Sequence, residues 1–326
     1  HDDGHARTRR APRRHEAGGR SRQRPLTAFD AAIVGGGPAG LAAALATGRM
    51  NRRAVCLEAG TPRTVHAPCY RNYLGFPDGI SGEDLLRLGR EQAERWGAVM
   101  VNAAVTAVEI DSGGPPGFVL ETTEGPYSAR GVVFATGVKD RQLRCGNLYG
   151  ETGHGVHYCV VCDGREVCGQ RVAVVGSGEH AAETIEALRD FTSDLHLLLD
   201  GEPAPRGSAA KRLEAWGVRT YPAPLEEYRC GAGGVRFVSA DDPGPFPHVF
   251  IATGVLPRTE VAEALGCRLD REGYIATDER QATSIPFVYA AGDCDGGRKQ
   301  VTQAMAEGET AGIELARRLR EAEASG

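Results

Sequence analysis

The chain has 326 residues, 41% of them hydrophobic and 25% charged, and a formal net charge of -5. This is the composition of a globular protein with room for two domains. No run approaches the roughly 18 to 20 apolar residues that span a bilayer, so no membrane partner is expected.

Charge is unevenly spread. Residues 1 to 25 carry eight arginines against Asp2, Asp3 and Glu16. A segment this basic and this poor in large apolar side chains cannot bury enough surface to order itself, so residues 1 to 26 are expected to form a disordered tail. A nucleic-acid arm is the functional alternative, and no nucleic-acid partner is expected. The tail lacks the apolar core of a secretory signal. Nine cysteines scattered from Cys56 to Cys294 do not form a secreted disulfide scaffold, and a cytoplasmic location is expected.

The first folded segment opens with an apolar run, Phe29 to Val34, which predicts a strand. Gly35-Gly36-Gly37-Pro38-Ala39-Gly40 then forms a tight turn, and an alanine-rich helix runs to Met50. A second strand, Ala54 to Leu57, ends at Glu58. Strand, glycine turn, helix, strand and acid make up the dinucleotide-binding fingerprint in its full context. Gly35 permits the turn, Gly37 lets backbone approach a pyrophosphate, and Gly40 allows close helix–strand packing. The helix N-terminus stabilises phosphate charge, and the Glu58 carboxylate accepts from ribose hydroxyls. Next, Ser81 caps a helix over Gly82 to Trp96, with Asp84 three residues on. Leu85, Leu88 and Trp96 fall near one face, which predicts packing. Val132 to Val138, with Ala135-Thr136-Gly137 inside it, closes this unit as a strand.

Cys159-Val160-Val161-Cys162-Asp163-Gly164 follows. Taken alone, such a pair is a zinc half-site, a structural pair or a redox couple. Structural zinc wants a second closely spaced ligand pair, and His154, His157 and Cys168 read as local packing or surface residues, so no metal site is expected. Placed between two glycine-rich nucleotide loops, the pair reads as a reversible two-electron couple that exchanges electrons with a flavin. The other cysteines read as small buried hydrophobes.

The nucleotide pattern then returns. Arg171 to Val175 predicts a strand, Gly176-Ser177-Gly178-Glu179-His180-Ala181 a turn, Ala182 to Asp190 a helix, and Asp194 to Leu199 a strand that ends at Asp200. Val249 to Val255, again with Ala-Thr-Gly inside it, repeats the closing strand. Gly273 to Asp278 and Ser284 to Ala291 read as further strands. A helix from Val301 to about Ala322 ends the chain, with Ala304, Ile313, Leu315 and Leu319 on its apolar stripe.

With these segments in order, the chain resembles the low-molecular-weight thioredoxin reductases and their flavoprotein relatives from about Asp30 to Arg318. The resemblance rests on Gly35 to Gly40, Asn72 to Gly82, Cys159 to Gly164, Gly176 to Ala181, Tyr289 to Asp293 and Lys299-Gln300-Val301. It implies an α/β fold of two Rossmann-like domains of the three-layer ββα type, the second inserted in the first. Residues 27–142 and 256–326 then form a discontinuous FAD-binding domain, and residues 143–255 an NAD(P)-binding-like domain that carries the redox pair. FAD is expected at Gly35, Gly37, Pro38, Ala39, Gly40, Glu58, Asn72, Gly137, Gly292, Asp293, Gln300 and Val301, and the nicotinamide carrier at Gly176, Gly178 and Asp200. Catalysis is expected from Cys159, Cys162 and Asp163, with Asp163 as acid/base. The resemblance further implies a homodimer, NADH or NADPH as donor, and a thioredoxin-like protein or a small-molecule disulfide or dithiol as partner.

Two departures stand out. Relatives that use NADPH place a histidine and paired arginines where this chain has Leu199-Asp200-Gly201-Glu202-Pro203, and acids repel a 2'-phosphate. Thr61 to Cys69 replaces a Gly-Gly-Gln stretch beside the flavin. Three readings therefore stay open: NADH held by Asp200, NADPH held unconventionally, or a nicotinamide-independent dithiol oxidase that passes electrons to oxygen.

Overall fold

The computed structural model describes residues 28–111, 117–231 and 233–325; the basic segment 1–26, expected to be disordered, lies outside them. The chain opens with β1 (Ala28–Val34), α1 (Pro38–Arg49) and β2 (Ala54–Glu58), followed by α2 (Gly82–Arg95) and β3 (Val99–Asn102). β1, β2 and β3 are parallel neighbours, with Val34 opposite Leu57 and Leu57 opposite Val101. β4 (Val105–Ile110), β5 (Phe118–Thr122) and β6 (Tyr127–Phe134) make an antiparallel meander. β6 also runs parallel to β1 and joins the meander to the main sheet. β1, β2 and the second half of β6 are buried on both sides, and this explains their unbroken apolar runs.

β7 (Val138–Asp140) leads out of this sheet. The next unit holds β8 (Val156–His157), α3 (Val160–Asp163), β9 (Val172–Gly176), α4 (Gly178–Leu188), β10 (Leu195–Leu198), α5 (Gly207–Ala215) and β11 (Arg219–Tyr221). A second meander follows, β12 (Glu227–Gly231), β13 (Gly234–Val238) and β14 (Pro245–Phe246), and then β15 (His248–Ala252). Its sheet is parallel throughout, in the order β11-β10-β9-β15-β8. β16 (Val255–Pro257) returns antiparallel to β7, so two short strands make the double link between the units.

The chain then re-enters the first unit with α6 (Glu260–Leu265), β17 (Val288–Ala290) and α7 (Val301–Ser325). β17 lies parallel to β6, with Val288 opposite Val132. The C-terminal segment therefore completes the sheet begun at Ala28. One face of this sheet packs on α1 and α7 through Ala31, Ile33, Ala43, Val133 and Leu315. The other packs on the first meander and α6 through Val108, Leu120, Ala262 and Val288.

Several expectations need correcting. Leu88 and Trp96 are exposed, at 41% and 48%, and α2 instead buries Gly82 and Ala93. Ile313 is exposed on α7, whose buried stripe is built largely of alanine and glycine. Residues 273–278 form no ladder beyond one bridge between Leu269 and Ile275, and the strand expected over 284–291 shrinks to β17. The second glycine turn feeds its helix four residues earlier than expected, at Gly178.

α1 and α7 approach closely because small residues meet at their crossing. A Cβ at Gly308 would strike the Ala39 carbonyl, and one at Gly312 would sit 3.0 Å from the Ala46 Cβ. Overpacking of this kind costs about 1–3 kcal/mol. Gly308→Ala should lower the urea midpoint of the protein by a corresponding amount, whereas an unchanged midpoint would show that the two helices can part freely.

Candidate active site

Both glycine turns sit at the carboxyl ends of parallel strands, where helix N-termini point into the crevice. At the first turn, Gly35 has φ +117° and its hydrogen lies against the Ala135 carbonyl, while Gly40 packs on the Gly35 carbonyl. Neither position has room for a side chain. Gly37 gives α1 no side-chain cap, so the N–H groups of its first turn stay open to a ligand. Glu58 stands beside Gly36 and pairs with Arg90.

Gly35, Gly36, Gly37 and Glu58 wall a cavity of about 640 Å³ that Pro38, Ala39, Asn72, Gly137, Gly292, Asp293, Gln300 and Val301 also line; Gly40, expected to touch the cofactor, packs behind the turn instead. FAD fits this donor set. The open helix N-terminus and glycine backbone suit a pyrophosphate, and Glu58 at the end of β2 suits a ribose diol. The redox pair lies on the same wall.

α3 is a single turn whose N-terminal cap is Cys159, with its sulfur accepting from the Cys162 N–H at 3.1 Å. Cys159 and Cys162 are joined as a disulfide, with Cα atoms 5.3 Å apart. The Gln300 amide, at the entrance to α7, donates from Nε2 to Cys159 Sγ at 3.3 Å. Asn72 Nδ2 donates to Gln300 Oε1 at 3.2 Å. Asn72 and Gln300, 87 residues or more from the cysteine pair along the chain, thus converge with it on one point. Asp163 directly follows the pair and lines the same cavity.

Thr61 to Cys69, the stretch that departs from the family pattern, lines this cavity too. Within it, Arg63 forks onto Asp140 of β7 through Nε at 2.6 Å and Nη2 at 2.8 Å. Asp140 also accepts from the Tyr149 hydroxyl, and His66 stacks on the Tyr149 ring at 4.3 Å. The sequence reading missed this cluster, since only the fold brings the interdomain strand to Arg63.

The second glycine turn is furnished differently. Gly176 packs on the Ala252 carbonyl as Gly35 packs on Ala135, but an acid, Glu179, occupies the first turn of α4. Asp200 does not stand ready for a ribose. It is 7% exposed, and its carboxylate accepts from the Arg144 N–H at 2.9 Å and the Leu225 N–H at 2.8 Å. Arg212 is paired with Glu179 and lies 3.6 Å from Glu186. These residues do not fit a 2'-phosphate. The cation beside Asp200 is Arg144, whose Nε is held on the Asp200 carbonyl at 2.9 Å.

Other expectations also shift. Cys168 and Cys230 are exposed and Cys69 and Cys145 half-buried, so only Cys56, Cys267 and Cys294 are the buried hydrophobes expected. His154 is at the surface, but His157 is buried between Asp163 and His248. Its role was hidden because β8, two residues long, gives no periodicity to read. No described helix is long and apolar enough to cross a membrane.

A disulfide set into the wall of a dinucleotide cavity defines a flavin-dependent disulfide oxidoreductase. Residues 29–308 match the pyridine nucleotide-disulphide oxidoreductases, and the chain belongs to that family. It is 31% identical over 303 residues to the thioredoxin reductase of Listeria innocua, covering 87% of this chain and 92% of the relative. To the thioredoxin reductase of Streptomyces coelicolor it is 30% identical over 276 residues, covering 80% and 84%. Among solved structures, HlmI superposes with a TM-score of 0.83 at 28% identity, covering 91% of this chain and 94% of that one. The thioredoxin reductase of Streptococcus pyogenes gives 0.82 at 29% identity, covering 90% and 99%. The protein is thus a thioredoxin reductase-like flavoprotein oxidoreductase.

Two residues past Asp293, outside the cavity lining, Asp295 lies near the buried Glu307. Burial, and after it repulsion from Glu307, pushes the Asp295 carboxyl up from 3.8 to about 7. The folded protein then holds a proton that the unfolded chain releases near pH 4, so stability falls as pH rises from about 4 to about 7. Asp295→Asn should raise the urea midpoint over wild type at pH 8, and the gain should fade toward pH 4. A gain of equal size at both pH values would assign the effect to something other than ionisation.

Proposed function

We propose that the protein is a flavoprotein disulfide oxidoreductase in which Cys159 and Cys162 carry an electron pair between FAD and a thioredoxin-like protein or small-molecule disulfide. Residues 27–142 and 256–326 hold FAD in this reading, and residues 143–255 carry the redox pair. Its donor is NAD(P)H and its assembly a homodimer. The observation that carries the proposal is the contact of Gln300, on the FAD wall, with the Cys159–Cys162 disulfide at 3.3 Å.

FAD, when bound, supplies a two-electron acceptor and donor beside that disulfide. The chain's own part is thiol–disulfide exchange. A thiolate on the partner attacks one sulfur of the pair, the Cys159–Cys162 bond breaks, and a mixed disulfide forms. The displaced cysteine thiolate takes a proton from Asp163. The partner's second thiol then gives its proton to the Asp163 carboxylate and attacks the mixed disulfide. This closes the partner's disulfide and frees the other cysteine. Run in reverse, the same steps reduce a partner disulfide with the Cys159–Cys162 dithiol. Thiolate is the reacting form throughout, so the adjacent carboxyl group serves the exchange by moving the proton.

Cys159→Ser and Cys162→Ser should each abolish disulfide turnover and keep the yellow FAD complex. Asp163→Asn should slow turnover by about 10²-fold or more. Retained turnover in both cysteine variants would dismiss the assigned centre.

The second turn, with Asp200 and Arg212 already committed, decides how the donor question is put. Anaerobic titration of the holoprotein with NADH and, separately, with NADPH should bleach the flavin with one of them. Given the acids around Asp200, NADH is expected to act more readily. Bleaching by dithiols alone, with recovery in air, would replace the donor reading with a dithiol oxidase.

A further inference from the structure

Asp163 is one end of a row of three titratable side chains. His157 Nδ1 lies 3.3 Å from Asp163 Oδ2, and His157 Nε2 lies 3.1 Å from His248 Nδ1. The three come from different elements. Asp163 ends α3, His157 ends β8 and His248 opens β15, and β8 and β15 are parallel neighbours with His157 opposite Phe250. The His157 ring is 7% exposed and stacks on Phe250 with centroids 4.8 Å apart, which fixes its plane. A histidine that only fills a core usually satisfies its nitrogens on backbone groups or water; here both nitrogens meet side chains that themselves titrate. Asp163, His157 and His248 all line the cavity that holds the disulfide.

We propose that His157 and His248 form a proton relay serving Asp163, so that each opening or closing of the Cys159–Cys162 bond exchanges its proton with the cavity through two imidazoles. The proposal rests on Asp163 being the acid/base partner of the pair. When a cysteine thiolate is released, Asp163 gives it a proton and recovers one from His157 Nδ1. His157 Nε2 takes the Nδ1 proton of His248, and His248 Nε2 takes one from water in the cavity. One proton enters and one leaves, and both rings end as the opposite neutral tautomer. Closing the bond runs the row backwards and restores the first tautomers.

The surrounding charges suit this. Burial, then the neighbouring His157, holds His248 below its ordinary value, against a smaller opposing pull from Glu166. Glu166 in turn lies 3.7 Å from Arg71, with both side chains largely exposed. His248 therefore favours its neutral form, the form that can pass a proton from one ring nitrogen to the other. His157 and His248 are positioning residues here, since neither touches sulfur.

The test follows reduction of the disulfide in the FAD-bound protein by dithiothreitol, quenched and titrated for thiols, from about pH 5.5 to 8.5. His157→Asn keeps a donor near the Nδ1 position but cuts the path to His248. It should match wild type at the acid end, where hydronium substitutes for the row, and fall to about tenfold slower near pH 8. His248→Asn should show the same growing deficit, and it carries the test if His157→Asn fails to fold. A wild-type rate, or a deficit of constant size at every pH, would overturn the relay and leave His157 a packing residue. Asp163→Asn separates the two ideas. Slow exchange at every pH keeps the acid/base assignment whatever the histidines do, whereas a wild-type rate there removes the premise itself.

Discussion

A protein disulfide exchanges electrons with a bound cofactor only at contact distance, and that requirement governs how the two sheets are held. The first glycine turn and the redox pair open on one cavity lined from both units. Three ties fix the approach. Gln300 bridges from α7 to both sulfurs, Asn72 holds the other end of that amide, and Arg63 forks onto Asp140 with Tyr149 and His66 stacked above. A bidentate guanidinium–carboxylate pair is directional as well as strong. Half-buried at the base of the β7–β16 link, it ties that link to the first unit.

The same supersecondary plan serves two ends. In the first unit, the acid after the second strand faces the cavity beside Gly36 and is balanced by one arginine on α2. In the second unit, the corresponding acid has been drawn into the structure, where two backbone N–H groups hold it against the segments before β8 and after β11. One Asp therefore does the work of a loop staple, and the acid in the first turn of α4, Glu179, is paired with Arg212. A helix N-terminus still offers its dipole there, but an acid in the first turn already occupies part of that field. The two turns look alike in spacing and differ in what their neighbours have done with the charge.

Most of this architecture is legible in the chain. Gly35 to Gly40 with Glu58, and Gly176 to Gly178 with Asp200, mark both parallel sheets, because the constraint there is local: backbone must pass backbone closer than a Cβ allows. The Cys-x-x-Cys pair is equally plain. What the sequence hides is set by pairings between distant segments. β8 has two residues, so nothing in its pattern shows that His157 lies beside His248. Leu88 and Trp96 share a helical face yet stay in solvent, because α2 meets the core through Ala93 and Gly82 instead. Asp200 sits where a ribose ligand would, and only the positions of Arg144 and Leu225 show that its oxygens are already committed.

Nine cysteines share this chain, and desolvation holds five of them back from thiol chemistry. Desolvation pushes the Cys56 thiol up to about 12, and those of Cys145, Cys230 and Cys294 to about 11. Cys267 is moved in the same direction for the same reason. Thiols so placed carry almost no thiolate at neutral pH, and exchange with a disulfide is a reaction of thiolate. The redox pair escapes that fate because α3 is too short to bury it. A one-turn helix holds Cys159 and Cys162 on the cavity wall, half-exposed, with a carboxylate one residue away. The same shortness keeps the pair on the wall of the cavity that Gly35, Gly37 and Glu58 also line. Lengthening that helix would protect the sulfurs and, by the same act, disconnect them.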